Sequence, residues 1–407
     1  MTAPAPSSIV SPLRLRWDIF CNVIDNHGDL GVCWRLCADL AERGQRVRLW
    51  VDHPEDLHWM APVVPHGIDV CRWTAESSAL PLPVADAGDV LVEAFGCALG
   101  TGVESWWAEA QHLRAAQGLA AGHWINLEYL TAESYASRFH RLESPVMQGP
   151  AAGLHKRFFY PGFTPDTGGL LRETNLLARD PAAERSHLSF LPALPPMPSG
   201  SLTVSLFCYE PPPLASWLEQ LSAMPCRLLV TAGRARTAVQ SCTWPLLADK
   251  NPEPLQTLAY GACSIALLPW MSQRQFDALL WTCDFNCVRG EDSLVRALWA
   301  GHPFVWHIYA QEDRAHHAKL QAFLDWLDAP DDLREFHAIW NGLQTGLLPS
   351  LTPARLQRWR DCVLAARKRL LEQKDLATQL LQEVGALPPA PSAALSVPPN
   401  ASLRGLA

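Results

Sequence analysis

The chain has 407 residues, 48% hydrophobic and 18% charged, which fits a folded protein large enough for two core-forming domains and excludes a disordered one. A formal net charge of −8 argues against nucleic acid as the main partner, because phosphate binding draws on clustered Lys and Arg. No apolar run approaches the ~20 residues that span a bilayer, and Asp18 interrupts the only short apolar stretch near the N-terminus, so no membrane partner and no signal peptide are expected and the expected location is cytoplasmic.

In chain order, residues 1–13 are rich in Pro, Ser and Ala and read as a flexible N-terminus. "WDIFCNVI" reads as a buried strand. Leu30 to Arg43 reads as a helix with Val32, Leu36 and Leu40 on one face and Gly44 as its stop. "RVRLWVD" is the next strand, and strand–helix–strand implies a parallel pair. "DVLVEAF" and "HWINLEYL" extend the same sheet, with the helix "VESWWAEAQHLRAA" between them, so 14–185 reads as a Rossmann-like domain. The Pro/Ser/Gly-rich 186–200 reads as a linker. "LTVSLFCYE", "CRLLVTAG", "CSIALLPW", "DFNCVRG" and "PFVWHIY" then make a second α/β domain over 201–352. Residues 353–386 read as a helical segment and 387–407 as a disordered tail. Two such domains imply a cleft, with ligand-binding residues in the loops after strands.

The first such loop is "VIDNHGDLG". A dinucleotide site would place GxGxxG here, but only Gly28 and Gly31 are present, and Asp25 and Asp29 would repel a diphosphate. Asp29 stands where a helix N-cap belongs and Asp25 where a turn former belongs, so capping and acid–base chemistry both account for them. The second loop, in "CVRGEDSLVRALWAG", carries Arg289, Glu291, Asp292 and Ser293 at a helix start. First-turn N–H groups with Arg289 and the Ser293 hydroxyl suit an anion such as phosphate. Glu291 and Asp292 also read simply as acids complementing the helix dipole, which leaves Arg289 unexplained. Phe207 and Tyr209 in "SLFCYEPP", with Gln273 and Phe276 in "WMSQRQFDALLW", supply enough aromatic surface to stack on a base, although any one of these rings taken alone reads more readily as a core residue. The twelve cysteines contain no CxxC and the histidines no HExxH, so no metal is assigned. Neither GxSxG nor a Walker A sequence is present.

"WDIFCNVIDNHGDLGVCWRLCADLA" and "RGEDSLVRALWAGHPFVWHIYAQEDRAHHAKL" together closely resemble the EarP family of bacterial protein-arginine rhamnosyltransferases, and "NLEYLTAESY", "KRFFYPGFTPDTGGLLRE" and "SLFCYE" support the resemblance from about Trp17 to about residue 380. It implies a GT-B fold: two Rossmann-like domains facing a cleft, the first for the acceptor and the second for the nucleotide sugar, with the C-terminal helical segment packing back toward the first. The implied reaction is inverting transfer of L-rhamnose from dTDP-β-L-rhamnose to an arginine of translation elongation factor P, without metal or cofactor. The implied consequence is relief of ribosome stalling at polyproline stretches. Carried over by position, the catalytic acids are Asp25, Asp29 and Glu291. The donor-binding set is Phe207, Tyr209, Gln273, Phe276, Arg289, Asp292, Ser293 and Tyr309. His27 stands where relatives commonly carry an aromatic residue.

That chemistry gives the acidic first loop a purpose. A guanidinium stays protonated and is a poor nucleophile, so an enzyme must bind the cation, aim one nitrogen and favour proton loss, and carboxylates do all three. The alternatives are a GT-B enzyme with another donor sugar or a small-molecule acceptor, and a non-catalytic nucleotide-binding module. An oxidoreductase is disfavoured by the missing dinucleotide fingerprint.

Overall fold

A computed structural model describes residues 13–23, 27–188, 191–247, 255, 257–311 and 314–387. Asp25, most of the N-terminal 1–13 segment and nearly all of the 387–407 tail lie outside the described residues.

The apolar runs form strands β1 (Arg16–Cys21), β2 (Arg46–Val51), β3 (Ile68–Arg72), β4 (Val90–Ala94), β5 (His123–Leu127), β6 (Glu143–Pro145) and β7 (His155–Phe159). They make one sheet in the order β3-β2-β1-β4-β5-β7-β6, parallel except for β6 against β7. The second sheet contains β8 (Leu202–Leu206), β9 (Cys226–Val230), β10 (Thr257–Tyr260), β11 (Cys263–Leu267), β12 (Phe285–Arg289) and β13 (Phe304–His307). Its order is β10-β11-β9-β8-β12-β13, parallel except for β10 against β11. The chain reverses its direction of travel across the sheet between β1 and β4 in the first half and between β8 and β12 in the second. Such switch points open a crevice at the carboxyl ends of the strands.

Asp18, which breaks the apolar run of β1, is fully buried and satisfied. Its carboxylate accepts from Arg48 at 2.6 and 2.8 Å, from the Trp50 indole at 2.9 Å and from the Gly88 N–H at 2.8 Å. A Cβ at residue 88 would stand 2.6 Å from that carboxylate, so glycine is required there.

The helical composition of 353–386 conceals a break. Pro353–Leu371 packs Trp359, Val363, Ala366 and Leu370 into the core of the second sheet, whereas Leu376–Glu383 packs Leu376, Ala377, Leu380 and Leu381 with β1, β2 and β4. Asp375 divides them by accepting the Thr378 N–H at 2.8 Å as an N-cap. Only the second piece therefore returns to the first half. The crossing between halves also begins before the Pro-rich stretch, since Leu170 and Leu176 already lie in the second core. Leu188 and Leu194, within the span read as a linker, pack against Leu229 and Ala266.

The second core also buries His337 completely. Its Nε2 accepts the Trp306 N–H at 3.0 Å while Nδ1–H donates to the Leu333 carbonyl at 2.9 Å. Burial pushes this imidazole down to about 4. A base whose folded pKa is depressed stabilises the fold fully above its unfolded value near 6.5, and that stability is lost as pH falls toward 4. At pH 5 the loss from His337 alone should be about 2 kcal/mol. Thermal melts should show the midpoint falling from pH 7 to pH 5, and His337→Gln should flatten the slope. An unchanged slope in the variant would show that His337 does not drive it.

Candidate active site

Segments following the carboxyl ends of strands in both sheets converge on one cleft. After β1 come His27, Gly28 and Gly31, after β8 Phe207 and Tyr209, and after β9 the turn from Thr231 to Arg234. Trp270 and Gln273 follow β11, and Arg289 to Ser293 follow β12 with Glu291 turned elsewhere.

The wall from the second half combines rings and cations. Phe207 and Phe276 meet edge to face at 5.0 Å. The Arg289 guanidinium stands 4.4 Å from the Phe207 ring centre and 4.9 Å from that of Tyr209, and its Nη1 donates to the Cys208 carbonyl at 3.3 Å. The Arg234 guanidinium stands 4.7 Å from the Tyr209 ring centre and pairs with Glu210, whose carboxyl that bond holds below its usual range. Both arginines sit at helix starts, Arg234 opening Arg234–Leu247 and Arg289 preceding Gly290–Ala300. Gly290 has φ +64, a turn that favours glycine and lets β12 pass straight into the helix. His307 lies beneath Tyr209 at 5.2 Å, and burial pushes its imidazole down to about 3, so it is neutral at physiological pH.

The sequence-assigned donor residues Phe207, Tyr209, Gln273, Phe276, Arg289, Asp292 and Ser293 thus share one wall. Tyr309 is not among the residues lining it, is 46% exposed, and its ring stands 5.7 Å from that of Tyr209. The Ser293 hydroxyl is turned back on the chain. It accepts the Arg289 N–H at 3.0 Å and donates to the Arg289 carbonyl, so it fixes the turn that carries the arginine. Gln273 opens the helix Gln273–Thr282, which is set by a Ser272–Gln275 capping box, and donates across the cleft to the Gly31 carbonyl at 2.9 Å.

The acids are less uniform. The helix at the first loop runs Gly28–Glu42, two residues earlier than its periodicity predicts. Asp29 is therefore inside the first turn rather than at the N-cap, which is His27. It is 5% exposed, between Gly28 and Gly31, which do line the cleft. Glu291 faces a neighbouring recess that it shares with Val32, Phe95 and Leu130. Its carboxylate accepts the Leu130 N–H at 2.8 Å and pairs with Lys319 at 2.5 Å, tying the two halves together.

Trp59, Trp270, Arg234 and Arg35 complete the surroundings and were not assigned from sequence. Trp59 comes from the first half and Trp270 from the second, and their rings meet at 4.8 Å across the cleft, with His27 at 5.1 Å from Trp59. Arg234 had a readable signal in "LLVTAGRAR", a strand, a glycine and an arginine at a helix start. The Trp59–Trp270 pair, 211 residues apart, had none.

Among the described residues no helix is long and apolar enough to cross a membrane. The family model for the elongation-factor P (EF-P) rhamnosyltransferase EarP matches residues 17–384. The protein-arginine rhamnosyltransferase of Pseudomonas putida is 42% identical over 91% of this chain and 98% of its own length. That of Neisseria meningitidis serogroup B is 34% identical over 84% of this chain and 87% of its own. A structure solved to explain EarP-mediated arginine glycosylation of translation elongation factor EF-P superposes with a TM-score of 0.60, at 31% identity, over 91% of this chain and 98% of that one. With matches over nearly its whole length, two doubly wound sheets and a cleft between their carboxyl ends, this chain belongs to the EarP rhamnosyltransferase family and is a glycosyltransferase of the GT-B fold.

Proposed function

We propose that this protein transfers L-rhamnose from dTDP-β-L-rhamnose to one arginine side chain of elongation factor P, with inversion at the anomeric carbon, and that the modified factor relieves ribosome stalling at polyproline stretches. One observation carries the reading. The first half carries the buried Asp29 in a helix first turn, between the cleft-lining Gly28 and Gly31, and the wall of the second half carries two arginines, two helix starts and a cluster of rings. This arrangement supports assigning the cation and the diphosphate to opposite sides of one cleft.

On this reading the rings of Phe207, Phe276 and Trp270 supply stacking surface for thymine, and Arg289 and Arg234 take the diphosphate. The acceptor guanidinium enters beside the Gly28–Glu42 helix start. Asp25 orients it, and Asp29 takes the proton as one nitrogen attacks C1. The C1–oxygen bond breaks through an oxocarbenium-like state, the electron pair leaves with dTDP, and the new C1–nitrogen bond forms on the opposite face. Negative charge grows on the leaving diphosphate, where Arg289 and the helix starts stabilise it most strongly in the transition state. Glu291, held by Leu130 and Lys319, fixes the relation of the two halves around the sugar. No metal or cofactor enters the proposed scheme.

A donor panel tests the reading. Turnover is expected with dTDP-β-L-rhamnose and not with UDP-glucose or GDP-mannose, and the product should carry the α-anomer by one-bond C1–H coupling. Turnover with another sugar nucleotide in preference would overturn the donor assignment, and a β-linked product would overturn inversion.

A further inference from the structure

Beneath the cleft lies a buried group of charges that the proposed reaction does not use. Arg35, on the helix that carries Asp29, reaches into the second half and binds Asp277 bidentately at 3.1 and 2.9 Å. Its Nε stands 2.7 Å from an oxygen of Asp292, a cleft-lining residue at the start of the Gly290–Ala300 helix. Arg296 binds the same Asp277 at 3.0 and 2.8 Å and Glu173 at 2.9 Å, and Arg179 reaches Asp277 at 3.3 Å. Three cations thus face three anions with little access to water. Burial raises the Asp277 carboxyl, but Arg296, Arg35 and Arg179 together hold it well below its usual range.

Arg35 differs from the other two arginines in what it joins. Among the described residues it alone of the three pairs directly with Asp292, and it alone comes from the first half's acid-bearing helix. The helix approaches closely at the same place: a Cβ on Gly31 would lie 3.1 Å from the Gln273 amide and 3.6 Å from the Asp292 carboxylate. The second glycine of the first loop is therefore small because the donor wall abuts it.

We propose that Arg35 is a positioning residue for the transfer: by clamping Asp292 across the interface, it sets that carboxylate toward the hydroxyl groups of the nucleotide sugar and fixes the donor wall against the helix that bears Asp29. This rests on the donor assignment above. An unclamped Asp292 would be free to turn and, already raised by burial beyond what Arg35 and Arg296 offset, would more readily take a proton. A protonated or rotated carboxyl accepts sugar hydroxyls poorly.

The test is a double-mutant cycle of Arg35→Gln and Asp292→Asn, read by calorimetric titration with dTDP-β-L-rhamnose alone and by thermal melting. Arg35→Gln should weaken donor binding by about tenfold, and the double variant should bind no worse than Asp292→Asn by itself. Melting should fall further in the double variant, because the Asp277 contact is lost as well. A purely structural Arg35 would give multiplying losses of affinity, or unchanged affinity with a lower melting point, and either overturns the proposal. If Arg35→Gln does not fold, Arg35→Lys replaces it in the cycle. Lys keeps the charge but cannot span both carboxylates, so the same non-additivity is expected. Failure of the unaltered protein to bind dTDP-β-L-rhamnose would remove the donor assignment itself, a result distinct from normal binding with an indifferent Arg35.

Discussion

Asp29→Asn is expected to lower transfer about a thousandfold while leaving dTDP-β-L-rhamnose binding nearly unchanged. The substitution keeps the size of the side chain and its place in the first turn of the helix. It removes the negative charge that would receive the proton from the attacking nitrogen. Because the acid belongs to the first half and the proposed donor wall to the second, the two effects should separate cleanly. Single-turnover transfer and calorimetric donor binding read them independently. Substantial turnover by the variant would move the base assignment to another group, Asp25 first.

Arg289→Ala should act on the other side. Its guanidinium is already held in place by two rings and the Cys208 carbonyl, so little order has to be created when a diphosphate arrives. Losing a charge-assisted contact of this kind costs about 1.5–3 kcal/mol, so dTDP should bind some ten- to a hundredfold more weakly. Arg289→Lys should recover only part of the loss, because an ammonium neither stacks between rings nor presents a planar fork. Equal dTDP affinity in Arg289→Ala would show that Arg234 and the helix starts carry the diphosphate without it.

Much of the architecture was legible in the sequence because it depends on local pattern. The apolar runs before Gly233 and Gly290 mark strands that pass within a few residues into helices, and both turns line the cleft, as does the helix start at Gly28 after β1. That one wall of the cleft gathers Phe207, Tyr209, Arg289 and Asp292 was legible for the same reason: all lie within a few residues of a strand end. What escaped was set by partners far away in the chain. Arg35 lies among Cys33, Trp34, Leu36 and Cys37, and a cation in so apolar a stretch has to be paired, but its partner Asp277 is 242 residues away and Asp292 farther still. Glu291 read as a catalytic acid at a helix start, and its engagement with Leu130 and Lys319 could not be inferred from spacing. The break before Leu376 had a local signal, Asp375 three residues before Thr378, hidden by helix-forming residues on both sides.

The relation between the halves follows from the same long-range contacts. Gln273 to Gly31, Arg35 to Asp277 and Asp292, and Glu291 to Leu130 all cross from one sheet's domain to the other within reach of the cleft. They hold the Asp29-bearing helix against the cleft wall of the second half, and on the proposed reading such fixed positioning serves the transfer.

The most direct test of the central claim is the intact mass of the cognate elongation factor P after incubation with this protein and dTDP-β-L-rhamnose. The account predicts a gain of one deoxyhexose, abolished when the acceptor arginine is replaced by lysine. No gain in mass while dTDP-β-L-rhamnose is nonetheless bound would contradict the assigned acceptor and leave the fold and donor site in place.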